Sequence, residues 1–211
     1  MGSLEQSIRS YFEQHEIRYI KAEGESDFRL DYTMQNFVAH CRVVYDEQRH
    51  FTGFSVSGGV KIPHTRRTDA MEYITRANHG LACGGFQMDC DDGDLLFRIG
   101  VFTSPGPIAN ETMDSMIQIA IRTFDRYFNG LMEVVYANKA PSEAITEAEA
   151  GTPGQDQVDE VVEALLKHIA DDGPDTSAQA EVEPPRKRRG RPRTRKPQPP
   201  SEGSAEAPPE E

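Results

Sequence analysis

Residues 82–135 read ACGGFQMDCDDGDLLFRIGVFTSPGPIANETMDSMIQIAIRTFDRYFNGLMEVV, and the succession of patterns within them decides the fold. Two runs, Ala82 to Met88 and Leu95 to Val101, flank Asp91-Asp92-Gly93-Asp94, where Asp-Gly supplies the positive backbone dihedrals of a tight hairpin turn. After Pro105 and Pro107 the period changes. From Asn110, placed to cap a helix, Met113, Met116, Ile117, Ala120, Ile121, Phe124, Phe128, Leu131, Met132 and Val135 recur at three-four spacing. That is the pattern of one apolar helix face. A hairpin followed by such a helix predicts a helix laid on an antiparallel sheet.

Upstream, Ser3 and Gln6 have the spacing of a capping box, and Leu4, Ile8, Tyr11 and Phe12 share one helical face to about His15. From Arg18 to Val56 the runs YIKA, FRLDYTM, FVAHCRVVYD and FTGFSVS alternate with a period of two, predicting three or four antiparallel strands. Gly58-Gly59 and Pro63 are read as ending that run. A short helix is then expected from Thr68 or Asp69 to Asn78, with Met71, Ile74 and Ala77 inward. The expected class is α+β: an antiparallel sheet covered on one face by helices.

Downstream, Pro141 to Glu149 suits a short helix. Val158, Val161, Val162, Leu165, Leu166 and Ile169 form a narrow apolar stripe, which must cover either the core or a partner. The organisation expected is an α+β domain over 1–150, a linker and short amphipathic helix over 151–170, and a tail over 171–211 too poor in large apolar side chains to fold alone.

The formal net charge of -12 is unevenly spread. Residues 1–170 hold 15 Lys and Arg against 26 Asp and Glu, whereas all eight basic residues of 171–211 fall between Arg186 and Lys196, a stretch without an acid. Such asymmetry marks an interaction arm. Within it, Arg189-Gly190-Arg191-Pro192 resembles the core of the AT-hook of high-mobility-group A proteins. B-DNA's minor groove, about 6 Å wide, admits an extended backbone but no helix. Gly190 has no side chain to collide with the groove floor, and Pro192 biases Arg191 towards an extended path. Arg189 and Arg191 would enter the groove, where A-tracts carry the strongest negative potential. Arg186, Lys187, Arg188, Arg193, Arg195 and Lys196 would meet phosphates. The partner expected is A·T-rich double-stranded DNA, and the location expected is the nucleoid of the cytoplasm.

Other chemistry is weakly signalled. Cys41, Cys83 and Cys90 are odd in number, and no apolar leader precedes them, which suits a reducing compartment. No run approaches the ~18 apolar residues of a membrane span. His79, Cys83 and Cys90 supply three zinc-type ligands where a site wants four. The carboxylates of Asp89, Asp91, Asp92 and Asp94 lack the spacing of a calcium loop. No nucleophilic motif, P-loop or dinucleotide fingerprint occurs. No catalytic residue, metal or cofactor is therefore expected.

The order of elements resembles the YbjN family, whose fold is similar to that of type III secretion chaperones. The resemblance rests on Ile74 and Asn78 closing the middle helix, the strand Gly85-Phe86-Gln87-Met88-Asp89, the return strand Leu95 to Val101, and the long helix leading to Ala140-Pro141-Ser142-Glu143-Ala144-Ile145. His79-Gly80-Leu81 lacks the family's second asparagine. The resemblance implies a regulatory module that binds itself or a protein partner, without a cofactor. A DNA-associated regulator is the first expectation; a chaperone-like adaptor whose basic tail engages an acidic protein or RNA is the second.

Overall fold

The first helix, α1 (Leu4–Gln14), starts where the Ser3 side chain accepts from the Gln6 amide. The carboxylate of Glu47 supplies a second cap, accepting from the Leu4 and Glu5 amides at 3.1 and 3.0 Å. Both groups answer the unpaired amides of a helix's first turn. The computed structural model describes residues 3–34, 37–150 and 161–167. These fall within Met1–Pro174, one of two units into which the chain divides; the other, Asp175–Glu211, lies outside the described residues.

Five strands follow the chain in the order β1 (Asp27–Thr33), β2 (Val38–Asp46), β3 (Phe51–Lys61), β4 (Gly85–Met88) and β5 (Asp94–Phe102). They form one sheet in the spatial order β1-β2-β3-β5-β4, with every neighbouring pair antiparallel. Helices α2 (Arg67–His79), α3 (Asn110–Tyr136) and α4 (Pro141–Ala150) complete the domain. Phe28, Leu30, Ala39, Cys41, Val43, Phe54, Val56, Phe97 and Ile99 point to one face and are buried with the apolar side of α3; Arg29, His40, Arg42 and Arg98 alternate with them and are exposed. The α+β class, with helices on one sheet face, is thus observed.

Several local expectations need correction. The YIKA run contributes a single bridge, Ile20 with Arg29, rather than a strand. Gly58-Gly59 does not end β3, which continues to Lys61 through an irregularity between Ser57 and Lys61. The extra residues are taken up as a bulge. A single turn of 3-10 helix, His64–Arg66, precedes α2, and the inward side of α2 is Ala70, Tyr73, Ile74 and Ala77; Met71 is 38% exposed. Asn110 is not the cap of α3. Ala109 holds that position, and the Asn110 amide instead donates to Gln14 at the end of α1, 2.9 Å away.

The hairpin turn is as read: Gly93 has φ +79°, a region that L side chains rarely adopt. For the late amphipathic stripe, residues 161–167 are helical, and Val162 and Leu165 join the domain core while Leu166 is 55% exposed. Val158 and Ile169 lie outside the described residues.

An ion network ties α1 to the sheet. Glu5 accepts from the Tyr45 hydroxyl and from Arg9 Nε and Nη2 at 2.9 and 2.7 Å, and lies 3.1 Å from Lys21 Nζ. The Tyr45 bond first, then Arg9 and Lys21, lower its pKa from 4.5 to about 2. A carboxyl with a depressed folded pKa contributes stability above its unfolded pKa and loses it as pH falls through the folded one. Glu5→Gln should therefore flatten the acid decline in stability between pH 4.5 and about 2. Urea unfolding over a pH series reads this, and an unchanged acid limb would refute it.

Candidate functional site

The basic stretch Arg186 to Lys196, with all its DNA-contact candidates, lies outside the described residues. The candidates inside the domain are placed as follows. Cys41 is buried, and burial pushes its thiol up to about 12, so it is a packing residue with almost no thiolate. Cys83 is half-buried, and burial raises its pKa as well. Cys90 is exposed, 3.9 Å from the Met71 sulfur. Among the described residues no group of three His, Cys, Asp or Glu side chains is placed to hold a metal ion.

The acidic turn is occupied with its own backbone. Asp89 Oδ1 accepts from the Asp91 amide at 2.8 Å and Asp92 Oδ1 from the Asp94 amide at 2.9 Å, while Asp92 also pairs with Lys61. Arg67 braces the turn from α2, donating to the carbonyls of Ile62, Cys90 and Asp91 at 3.2, 2.7 and 3.1 Å. These carboxylates shape a turn.

Asn78, one of the residues on which the family resemblance rests, has a structural task. Its side-chain oxygen accepts from the Phe86 amide at 2.7 Å, and its side-chain nitrogen donates to the Phe86 carbonyl at 3.0 Å. The amide thereby pairs with the outer edge of β4 as a neighbouring strand would.

The sheet face without helices carries the feature that sequence reasoning missed. Register aligns Arg29, Arg42, Ser55 and Arg98 as successive partners across β1, β2, β3 and β5. Asp27, only 2% exposed, sits beneath the row. It accepts from Arg42 Nε at 2.6 Å and Arg29 Nε at 3.2 Å. Burial pushes the Asp27 carboxyl up, but Arg42 and Arg29 outweigh it and hold it below its ordinary value. Arg29 is further engaged by Glu25 at 3.1 Å. Arg42 keeps both terminal nitrogens uncommitted, and the Arg98 side chain has no ion pair or hydrogen bond among the described residues.

A groove of about 370 Å³ runs over this row, lined also by His40, Ser57 and Leu96 and, at one end, by Asp31 and Asp94. His40 Nδ1 lies 2.8 Å from Asp31 Oδ1. At one end Gly53 and Gly100 are partners across β3 and β5, and the Phe51 ring lies over both; a Cβ on Gly100 would come within 2.6 Å of it. Phe51 packs on Phe102 with ring centroids 5.0 Å apart, and Phe102 remains 67% exposed. Charge, hydroxyls and an aromatic shelf thus share one open surface.

Fold and face together define a two-layer α+β domain with one closed and one open sheet face. Residues 6–133 match the model of a protein family, YbjN, described as "Putative bacterial sensory transduction regulator", and the chain belongs to that family. The crystal structure of YbjN, "a putative transcription regulator from E. coli", is similar at 10% identity and TM-score 0.44, covering 63% of this chain and 89% of that one. An uncharacterized protein from Methanothermobacter thermautotrophicus is similar at 11% identity and TM-score 0.46, covering 62% and 98%. A search of curated proteins finds no match. Among the described residues no helix is long and apolar enough to cross a membrane.

Proposed function

We propose that this protein is a non-enzymatic, DNA-associated regulator: the YbjN domain binds itself or a protein partner, and the segment Arg186 to Lys196 holds the assembly on A·T-rich DNA through the minor groove. The observation that carries the reading is the separation of charge, with eight basic residues and no acid in that segment against an acidic domain. An acidic body is repelled by phosphate, so the duplex would be met by the arm alone. Phosphate contacts would give affinity, and Arg189 and Arg191 the preference for a narrow A·T groove. Self-association through the domain would present several arms at once and raise avidity.

The test is a titration of the full chain against A·T-rich and G·C-rich duplexes at two salt concentrations. Tighter binding to the A·T duplex is expected, together with loss of that preference in Arg189→Ala plus Arg191→Ala. Equal affinity for the two duplexes, or no loss in the double variant, refutes the minor-groove reading. Recovery of an acidic protein partner after nuclease treatment, with no duplex preference, would replace it by the adaptor reading.

A further inference from the structure

We infer that the helix-free sheet face holds a binding site for a small phosphate monoester, seated between Arg42 and Arg98 above Ser55. The site is separate from the DNA-binding reading and shares no residue with it.

Arg42 and Arg98 flank Ser55 on the two strands hydrogen-bonded to β3. Neighbouring strands lie about 4.8 Å apart, so the two arginine backbones stand roughly 10 Å from each other with the serine hydroxyl between them. Two long cationic side chains rooted at that separation on one face are able to close on one anion from opposite sides. Arg42 is already oriented for this, because buried Asp27 holds its Nε at 2.6 Å and leaves the outer nitrogens facing solvent. Arg98 brings a full charge that no partner among the described residues satisfies. In a domain this acidic, a guanidinium without a carboxylate beside it stands out.

Geometry favours phosphate over carboxylate. The donors come from three directions: Arg42, Arg98 and, from below, Ser55, whose present bond to the Arg42 carbonyl is a long 3.5 Å. A phosphate monoester offers three terminal oxygens to three such donors. A carboxylate offers two, whose acceptor sites lie in one plane, and so meets donors from three directions less fully; guanidinium forks suit both anions, so the third direction decides. Beyond the row the surface turns apolar over Gly53 and Gly100, beside Phe51 and exposed Phe102. The organic part of the ester would lie there, so a flat, apolar group is preferred. The groove, about 370 Å³, is within the range of small-ligand sites.

An extended polyanion fits this face poorly. On either side of the arginine row the strands carry carboxylates, Asp31 and Asp94 towards one end, where Lys61 is already paired with Asp92, and Asp46 towards the other. One anionic group is accommodated; a chain of them running along the strands would meet carboxylates.

The test titrates the full chain with phenyl phosphate and, separately, benzoate, following backbone amide shifts by NMR. Expected are shifts centred on Arg42, Ser55 and Arg98, weaker binding of benzoate, and a loss of about tenfold to a hundredfold in affinity for phenyl phosphate in Arg98→Ala, the range of a charge-assisted hydrogen bond. Arg98→Ala removes an exposed side chain without a partner, so the fold should survive, and Arg98→Lys should restore part of the affinity. The sheet-face shifts should persist in Arg189→Ala plus Arg191→Ala, and duplex affinity should be unchanged in Arg98→Ala. Absence of shifts on this face overturns the proposal. So do equal affinity of the wild type and Arg98→Ala, benzoate binding as tightly as phenyl phosphate, or loss of the shifts in the tail variant. A parallel loss of duplex affinity in Arg98→Ala would make the row part of a DNA surface and likewise overturn it.

Discussion

Phe124→Ala should destabilise the protein by about 3–5 kcal/mol, the cost of removing a large aromatic side chain from a packed core. Phe124 is 1% exposed on α3, with ring centroids 5.5 Å from Phe37, 6.0 Å from Phe86 and 5.4 Å from Phe128. These rings come from three different segments, α3, β4 and the residue before β2, so no small rearrangement of one element refills the space. A domain of this size is stable by only about 5–15 kcal/mol, and the loss would consume a large part of that. Urea unfolding of the wild type and variant measures it, with Leu166→Ala, at a side chain 55% exposed, as the control expected to change little. A loss below about 1 kcal/mol at Phe124 would contradict the packing of α3 on the sheet.

Asn78→Ala should cost about 2–3 kcal/mol, because it removes two hydrogen bonds at once and strands backbone groups of the largely buried Phe86. β4 pairs with β5 on one side only. At its outer edge the Asn78 amide supplies the donor and acceptor that another strand would, and it also blocks that strand from adding there. Asn78→Asp keeps an acceptor for the Phe86 amide but sets a carboxylate oxygen against the Phe86 carbonyl, and should recover little of the loss. Hydrogen exchange at the Phe86 amide is the direct readout. Unchanged protection in Asn78→Ala would show that the clamp does not hold the edge.

Asn78 also shows how far a sequence reads. Its place at the end of a helix was legible, and it served as one mark of a family. Its work was not, because a side-chain amide paired with a strand edge depends on how α2 lies beside β4. Met71 and Asn110 teach the same lesson in reverse. Helical spacing put Met71 inward, yet the tilt of α2 favours Ala70 and Tyr73. Asn110 had the chemistry of a cap, but the neighbouring end of α1 offered Gln14, and the helix begins one residue earlier around it. Gly58-Gly59 looked like a break because glycine weakens strands; pairing with β5 carried β3 through it.

The sequence by itself determined what rests on local periodicity and local chemistry. That includes the Ser3 cap, the Gly93 turn, the apolar face of α3 and the resulting α+β class, since a residue's nearest neighbours in the chain impose these. It also concentrates the tail's positive charge between Arg186 and Lys196, a matter of composition alone. Only the tertiary structure decided the row Arg29, Arg42, Ser55 and Arg98. Strand alternation marks each of them as outward, but which residues stand side by side depends on register and on strand order. β3 takes β5 as its neighbour, with α2 and β4 lying between them in the chain. No local preference encodes that adjacency; it follows from packing the whole apolar face of the sheet at once, and the open face receives its chemistry as a consequence.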